Sequence, residues 1–516
     1  MIHPSALLLP LVAAACATTG GLRRPASRDA RAERAALRAS IDSMADAPEF
    51  QNAHWGILIV DPERGDTLYS RNAGKLFLPA SNMKIVTSAV ALEQLGADFT
   101  YRTTFVARGG RHDGTIYGDL AVIGRGDPTV SDHMWVDGMI PLRAIADSLA
   151  ARGVRRIAGR LVAAGNLFPG PVLGFGWAWD DLEDSYSAGV DELLFNEGFS
   201  VIRVRGGAHV GDSALVETRP ARAFPIVRAS VVTAEAPPCA TATDSLAAPC
   251  SAQDGSVPQR RRPGAQLHAQ KDTLRGDVIL TGSILAGDSA TIEITHRDPD
   301  VAYLTALAEA LRDRGIAIDS QRVAVVDSMV AGDTVMIYLS KPLRDILPAL
   351  MKPSQNQIAE ALLRTIGLER AGIGTADSGR KVVERQLATW GAPPAGYVIR
   401  DGSGLSRYDY LSPETIVHVL DAVRRSPNFQ LFYDALPIAG VDGTIRTRMR
   451  GTPAEGNVHA KTGSVSNARS LSGFVKTSDG ETLIFSILSN NWTVPASAVT
   501  NVQDVIAARL ASLRLR

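Results

Sequence analysis

The two ends of this chain carry the same pattern of elements, and the long stretch between them does not. Near the start, Leu37, Ile41 and Met44 recur at helical spacing between Asp29 and Ala45. Trp55-Gly-Ile-Leu-Ile-Val60, the turn-like Asp61-Pro-Glu-Arg-Gly-Asp66 and Thr67-Leu-Tyr-Ser70 then read as a hairpin. A further helical pattern begins near Ser81, runs to Leu95 and stops at Gly96. At the other end, Ser470 to Lys476 and Glu481 to Leu488 are strand-like runs on either side of Ser478-Asp-Gly480. After them, Val499, Val502, Ile506, Leu510 and Leu513 trace a closing helix. Both ends are therefore expected to build one sheet with helices packed on it. At 516 residues the chain also exceeds what one hydrophobic core supports, roughly 250 to 300 residues. Residues 101–335 have short β-like runs (Asp119–Ile123, Arg160–Ala163, Asp277–Leu280), frequent Gly and Pro, and a low-complexity patch at 234–265. That texture predicts one or two inserted β-rich modules, carried by an α/β domain made of residues 31–100 and 336–516.

Residues 1–16 are apolar from Ala6 onward and too short to span a bilayer, which is the pattern of an export signal. Ala13-Ala-Ala-Cys16 also has the small residues that precede a lipidated Cys, so a lipid anchor on Cys16 is one expectation. Against it, the first residues hold no Lys or Arg, and Ala13 stands where such sites usually carry Leu. Residues 17–30 are polar and Arg-rich, as in a tether. Cys239 and Cys250 read either as a small disulfide loop in an oxidising compartment or as two separate thiols. An exported protein of the periplasm or cell envelope is expected, touching the membrane only through the anchor. Lys plus Arg equals Asp plus Glu at 54 each, which leaves no field to hold a nucleic acid. Of the 54 basic residues only eight are Lys. In such an Arg-rich chain, each Lys invites the question of what Arg could not do there.

Common hydrolase signatures fail: no Ser has the flanks of G-x-S-x-G, no H-E-x-x-H occurs, and the nine His have no metal-ligand spacing. No metal or cofactor is expected. What stands out is Ser81-Asn-Met-Lys84 at a helix start. Residues three apart on a helix share a face, so the Lys84 amine reaches the Ser81 hydroxyl. A buried Lys loses its proton near neutral pH and can take one from serine, whereas Arg stays protonated. Alone the pattern is weak, because Ser378-Gly-Arg-Lys381 repeats it and a capping serine with a solvated Lys explains either. Two companions follow. Ser354-Gln-Asn356 offers a hydroxyl and an amide, and Lys461-Thr462-Gly463 offers a cation, a hydroxyl and a residue that lets a substrate backbone lie close. S-x-N recurs at Ser426 and Ser489, but K-T-G occurs once.

The order SxxK, SxN, KTG resembles the motif set of β-lactamases and penicillin-binding proteins. Four further stretches carry the resemblance: Gly118-Asp-Leu-Ala-Val-Ile-Gly-Arg-Gly-Asp-Pro-Thr-Val-Ser131, Asp401-Gly-Ser-Gly-Leu-Ser-Arg407, Gly440-Val-Asp-Gly-Thr-Ile-Arg446 and Ala454-Glu-Gly-Asn-Val-His-Ala-Lys-Thr-Gly463. With the gap of about 270 residues between Ser81 and Ser354, they are similar to the three-domain D-alanyl-D-alanine carboxypeptidase/endopeptidase family of the penicillin-binding protein 4 type. The resemblance implies a β-lactamase/transpeptidase-like fold acting on peptidoglycan peptides and trapped by β-lactam antibiotics. It implies Ser81 as nucleophile, Lys84 as general base, and Ser354 relaying a proton to the leaving nitrogen. Asn356 would orient the substrate amide and Lys84. Lys461 and Thr462 would hold the terminal carboxylate, and the backbone N–H groups of Ser81 and Ser464, beside Gly463, would form the oxyanion hole. Gln355 replaces the Asp usual in the middle motif and is expected to point away from the reacting groups.

Trp177-Ala-Trp-Asp-Asp181 resembles the family's segment that receives a diaminopimelate side chain, with Asp180 or Asp181 pairing its ammonium; an acidic loop beside a Trp is the plainer alternative. Asp401 to Gly404 reads as a tight turn. Two rival functions remain at this stage: a serine β-lactamase, for which no dedicated deacylating base is evident, and a catalytically idle muropeptide-binding protein.

Overall fold

A computed structural model describes residues 28–219, 226–235, 266–271, 277–296, 298–320 and 322–516. The export signal with Cys16, most of the tether, and the pair Cys239 and Cys250 lie outside the described residues.

Helix α1 (Arg28–Ala45) is followed by the hairpin β1 (His54–Asp61) and β2 (Asp66–Arg71), then by helix α2 (Met83–Leu95). After the long insertion come helix α3 (Asn356–Ala371), the strands β3 (His459–Val465), β4 (Ala468–Lys476) and β5 (Thr482–Asn490), and helix α4 (Ala496–Ser512). The five strands form one antiparallel sheet in the order β2-β1-β5-β4-β3. β1 lies between its own hairpin partner and β5, with Trp55 opposite Ser489 and Val60 opposite Ile484. The two chain ends thus complete each other, as their shared patterning predicts.

Successive side chains of a strand face opposite sides. Ile57, Ile59, Phe485 and Ile487 accordingly pack with Leu37 and Ile41 of α1 and with Val499, Ile506 and Leu510 of α4. On the other face, Leu58, Ile484 and Leu488 meet Ile85 and Val86 of α2, Ile358 and Leu362 of α3, and Ile416 and Leu420 of the helix Pro413–Arg424. Every residue of α2 from Met83 to Leu92 is buried. A helix buried all round sits at the centre of its layer, and it carries Lys84 inside with it.

Between the ends, a five-stranded mixed sheet joins Ala324–Val326, Leu161–Ala164, Leu120–Ile123, Arg102–Ala107 and Asp333–Leu339 in that order. Helices Met139–Ala151 and Pro299–Asp313 cover it through Leu142, Ile145, Leu304 and Leu307. The β-rich texture of the sequence said nothing of these two helices. The strand Asp333–Leu339 straddles the expected boundary at 335 and pairs with Arg102–Ala107. Within this part, residues 199–295 supply two three-stranded sheets around Ile202, Val204, Leu280 and Ile284. Just before them, residues 171–188 hold only the short turns Trp179–Asp181 and Ser185–Ser187, and this stretch reaches back to the serine-bearing domain. Among the described residues, no helix is long and apolar enough to cross a membrane.

Candidate active site

Ser81 lies on the single 3-10 turn Ala80–Asn82 that leads into α2. Ala80 has a φ of 46°, a conformation a non-glycine residue holds only when its surroundings impose it. Those surroundings are hydrogen bonds to the sheet. Ser470 Oγ donates to the Pro79 carbonyl at 2.7 Å, and Asn82 Nδ2 donates to the Lys461 carbonyl at 2.8 Å. Lys84, one helical turn on, is fully buried. Its Nζ contacts Ser81 Oγ at 2.9 Å, Asn356 Oδ1 at 2.6 Å and the Ser403 carbonyl at 2.8 Å. Burial pushes the Lys84 pKa down to about 7, against the opposing pull of the Asp401, Glu360 and Asp409 charges. A neutral amine has two hydrogens and one lone pair. Asn356 Oδ1 and the Ser403 carbonyl can only accept, so they take the two hydrogens and the lone pair is left for the Ser81 hydroxyl proton. The second match to the same spacing behaves differently: the Lys381 side chain is 59% exposed and pairs with Asp377 at 2.7 Å.

Ser354 also has a positive φ, 68°, in the turn between the helix Leu343–Met351 and α3. Its Oγ accepts from Lys461 Nζ at 2.8 Å. Gln355 faces away, as expected, and caps α3 by accepting the Gln357 N–H at 2.8 Å. An Asp carboxylate at this position would accept the same bond. Asn356 Nδ2 donates to the Tyr186 carbonyl at 2.7 Å, which fixes the amide with its oxygen toward Lys84. Lys461 is fully buried, and burial together with the neighbouring Lys84 charge holds its pKa well below the ordinary lysine value.

Lys461-Thr462-Gly463 lies on β3 itself, the open edge of the sheet, and not ahead of the strand as its position in the sequence suggests. Any side chain at 463 would bring its Cβ within 2.6 Å of the Pro79 carbonyl and 3.0 Å of the Ser81 nitrogen. Glycine is what lets β3 lie against the turn of Ser81. The Ala460 N–H points outward to the Pro437 carbonyl, and strand alternation gives the Thr462 and Ser464 N–H groups the same outward direction.

A cleft of about 300 Å³ is lined by Ser81, Ser354, Asn356, Thr462 and Ser464 together with Asp181 and Tyr186. Asp181 accepts from the Tyr186 hydroxyl at 2.7 Å. Asp180 is exposed and does not line the cleft, so the structure separates two carboxylates that the sequence left equivalent.

Two contributors were not legible as site residues. Asp401 to Gly404 is the expected tight turn, with the Asp401 carboxylate accepting the Gly404 N–H at 2.7 Å, but it also delivers the Ser403 carbonyl to Lys84. Thr444 Oγ1 lies 2.7 Å from Thr462 Oγ1 inside the cleft. Its loop is tied down by the ion pair of Lys352 with Asp442 at 2.7 Å. With Thr444 as donor, the Thr462 hydrogen is free for a substrate carboxylate. Thr444→Val is therefore expected to raise KM for a peptide with a free C-terminal carboxylate about tenfold while leaving its amide unaffected, with Thr444→Ser restoring the wild-type value. Steady-state kinetics on the acid and amide pair measures this.

Fold and paired Ser–Lys groups together define a serine hydrolase of the β-lactamase/transpeptidase-like class. Within that class, the chain belongs to the D-Ala-D-Ala carboxypeptidase 3 (S13) family, which matches residues 37–513. It is 35% identical over 503 residues to a D-alanyl-D-alanine carboxypeptidase of Actinomadura sp. (strain R39), covering 94% of this chain and 87% of that protein. The crystal structure of penicillin binding protein 4 (dacB) from Haemophilus influenzae shares the fold, with a TM-score of 0.74 at 23% identity over 92% of this chain and 99% of that one. The same protein complexed with a β-lactam matches with a TM-score of 0.68 at 22% identity, over 92% and 100% of the two chains. Membership in this family sets the chain among serine-type carboxypeptidases.

Proposed function

We propose that the protein cleaves the D-alanyl-D-alanine end of peptidoglycan stem peptides, and D-alanyl cross-links of the same chemistry, through an acyl-enzyme on Ser81. The observation that carries the assignment is the 2.9 Å contact between Ser81 Oγ and a fully buried Lys84 amine with a pKa of about 7. Ser81 Oγ attacks the carbonyl carbon while its proton passes to Lys84 Nζ. The backbone N–H groups of Ser81 and Ser464 take the developing oxyanion. Ser354, hydrogen-bonded to Lys461, relays the proton that Lys84 took from Ser81 to the leaving D-alanine nitrogen, which returns Lys84 to the neutral amine. Lys461 and Thr462 hold the terminal carboxylate, and water then hydrolyses the ester with Lys84 as base. Asp181, on the cleft wall, is the better placed of the two carboxylates to pair with an ammonium on the peptide side chain. A β-lactam imitates the acyl-D-Ala-D-Ala end and acylates Ser81 irreversibly; the complex of the Haemophilus influenzae protein with a β-lactam supports this. Envelope location fits the substrate, with export by residues 1–16 and lipidation of Cys16 as the proposed route and anchor.

The test is mass spectrometry of the protein after labelled penicillin, together with digestion of cross-linked muropeptides. Label is expected on the peptide that contains Ser81, with release of D-alanine or scission of cross-links. Label at another serine, or untouched termini and cross-links, would overturn the proposal.

The same chemistry fixes the pH dependence. Lys84 acts as the neutral amine, and burial lowers its pKa to about 7. Protonation below that value removes the base, so the acylation rate is expected to fall on the acid side of pH 7, by about tenfold per pH unit once the amine is mostly protonated. Stopped-flow acylation between pH 5 and 9 on the order of half-unit steps reads this limb directly.

A further inference from the structure

The stretch 171–188 belongs by chain order to the insertion, yet two of its contacts are with groups that hold Lys84. Among its aromatic residues, Phe175 and Trp179 are 63% and 84% exposed, whereas Trp177 is turned inward. Trp177 Nε1 donates to Asp401 Oδ2 at 2.9 Å. The remaining bonds of this fully buried carboxylate run to its own loop: Oδ1 accepts from Gly404 N at 2.7 Å and Ser403 N at 3.1 Å, and Oδ2 from Ser406 N at 2.7 Å and Ser403 Oγ at 3.2 Å. Glu360 Oε1 holds the same loop through the Gly402 and Ser403 N–H groups at 3.0 and 2.9 Å. The loop brings the Ser403 carbonyl oxygen onto Lys84 Nζ, and its Gly404, Leu405 and Arg407 line the cleft.

We propose that Trp177 is a positioning residue for the catalytic base, acting through Asp401 and the Ser403 carbonyl on the Lys84 amine. This rests on Ser81 as nucleophile and Lys84 as its base. The neutral amine directs its lone pair at Ser81 only while both of its hydrogens are held, one by Asn356 Oδ1 and one by the Ser403 carbonyl. Both acceptors are set by the same inserted stretch. Trp177 anchors the loop that carries one, and the Tyr186 carbonyl turns the amide that carries the other by accepting from Asn356 Nδ2 at 2.7 Å. Gln357 Nε2 pins the stretch from below through the Ser185 and Ala188 carbonyls at 3.0 and 3.2 Å. The insertion is in this way part of the apparatus that aims the base, besides forming a wall of the cleft.

Trp177→Phe keeps the ring and removes the N–H. Charged groups acting on Lys84 are Glu360 on α3, Asp401 and Asp409 in the loop, and Lys461 on β3. Trp177→Phe adds or removes no charge among them, although Asp401 loses one hydrogen bond. The expected result is an acylation rate by labelled penicillin, counted per labelled site, about tenfold lower, with kcat reduced alike and KM within about twofold. The acid limb of the rate profile stays in place. Asp401→Asn removes a negative charge that raises the Lys84 pKa, so its limb moves to lower pH while the rate also falls. Because both variants break one chain of contacts, the double variant is expected to be no slower than Asp401→Asn, within about twofold. Wild-type rates in Trp177→Phe, or losses that multiply in the double variant, overturn the proposal. Counting labelled sites removes any misfolded fraction; if Trp177→Phe leaves none, Asp401→Asn decides, and an unchanged rate there overturns it. Wild-type label found away from Ser81 would instead sink the catalytic assignment.

Discussion

Ser81→Ala is expected to take up no labelled penicillin and to turn over a D-Ala-D-Ala peptide at least on the order of 10⁴-fold more slowly, a loss of the size seen when an enzyme loses its nucleophile. The fold should survive. Removing Oγ takes away one of three partners of Lys84, and the bonds to Asn356 Oδ1 and the Ser403 carbonyl remain. Ser81 sits in a cleft, not in a packed core, so no cavity is made. A melting curve close to that of the wild type, with the label gone, separates loss of chemistry from loss of structure. Label persisting on the variant would mean that another hydroxyl is the nucleophile.

Lys84→Arg is expected to lower acylation by about 10³- to 10⁴-fold, the upper range for a general base, although it conserves charge. A guanidinium keeps its proton across the whole accessible pH range and offers no lone pair to Ser81. It is also larger than the site, which is closed on all sides, so Lys84→Arg should melt earlier than the wild type. Lys84→Met, nearly isosteric and uncharged, isolates the chemistry: it should match the arginine variant in lost rate and exceed it in melting temperature. An arginine variant retaining more than about a tenth of the wild-type rate would remove Lys84 from its role as base.

The parts of the site that follow from side-chain type at fixed spacing were open to sequence reading. Ser81 and Lys84 share a helical face, and Ser354, Asn356 and Lys461 belong to short motifs whose order is informative. The remaining parts were closed for a physical reason. Ser403 contributes a backbone carbonyl, which every residue has, so although Asp401 to Arg407 carried the family resemblance, no side chain in Asp401-Gly-Ser-Gly404 points to that carbonyl. Thr444 acts through its distance to Thr462, set by the Lys352–Asp442 pair, and no local pattern encodes that contact. Asp180 and Asp181 are adjacent and chemically identical; only the turn that carries them decides which faces the cleft. In the fold, matched patterning revealed the sheet shared by the two ends, because strands buried on both faces leave long apolar runs. The insertion was less legible: its strands were visible as short runs, while its helices Met139–Ala151 and Pro299–Asp313 were masked by an overall texture rich in Gly and Pro.

The strand order β2-β1-β5-β4-β3 has a temporal side. β1 is made long before the neighbour that covers its inner edge, Thr482–Asn490. Until then the N-terminal hairpin exposes an unpaired apolar edge, the kind of template that recruits the wrong strand. Contacts so distant along the chain form slowly. A nascent or C-terminally clipped chain that stops short of β5 lacks the centre of its own sheet, and with it the support on which β4 and β3 rest. Translation can therefore yield no partly active fragment that stops before β5: hydrolytic competence waits for that strand.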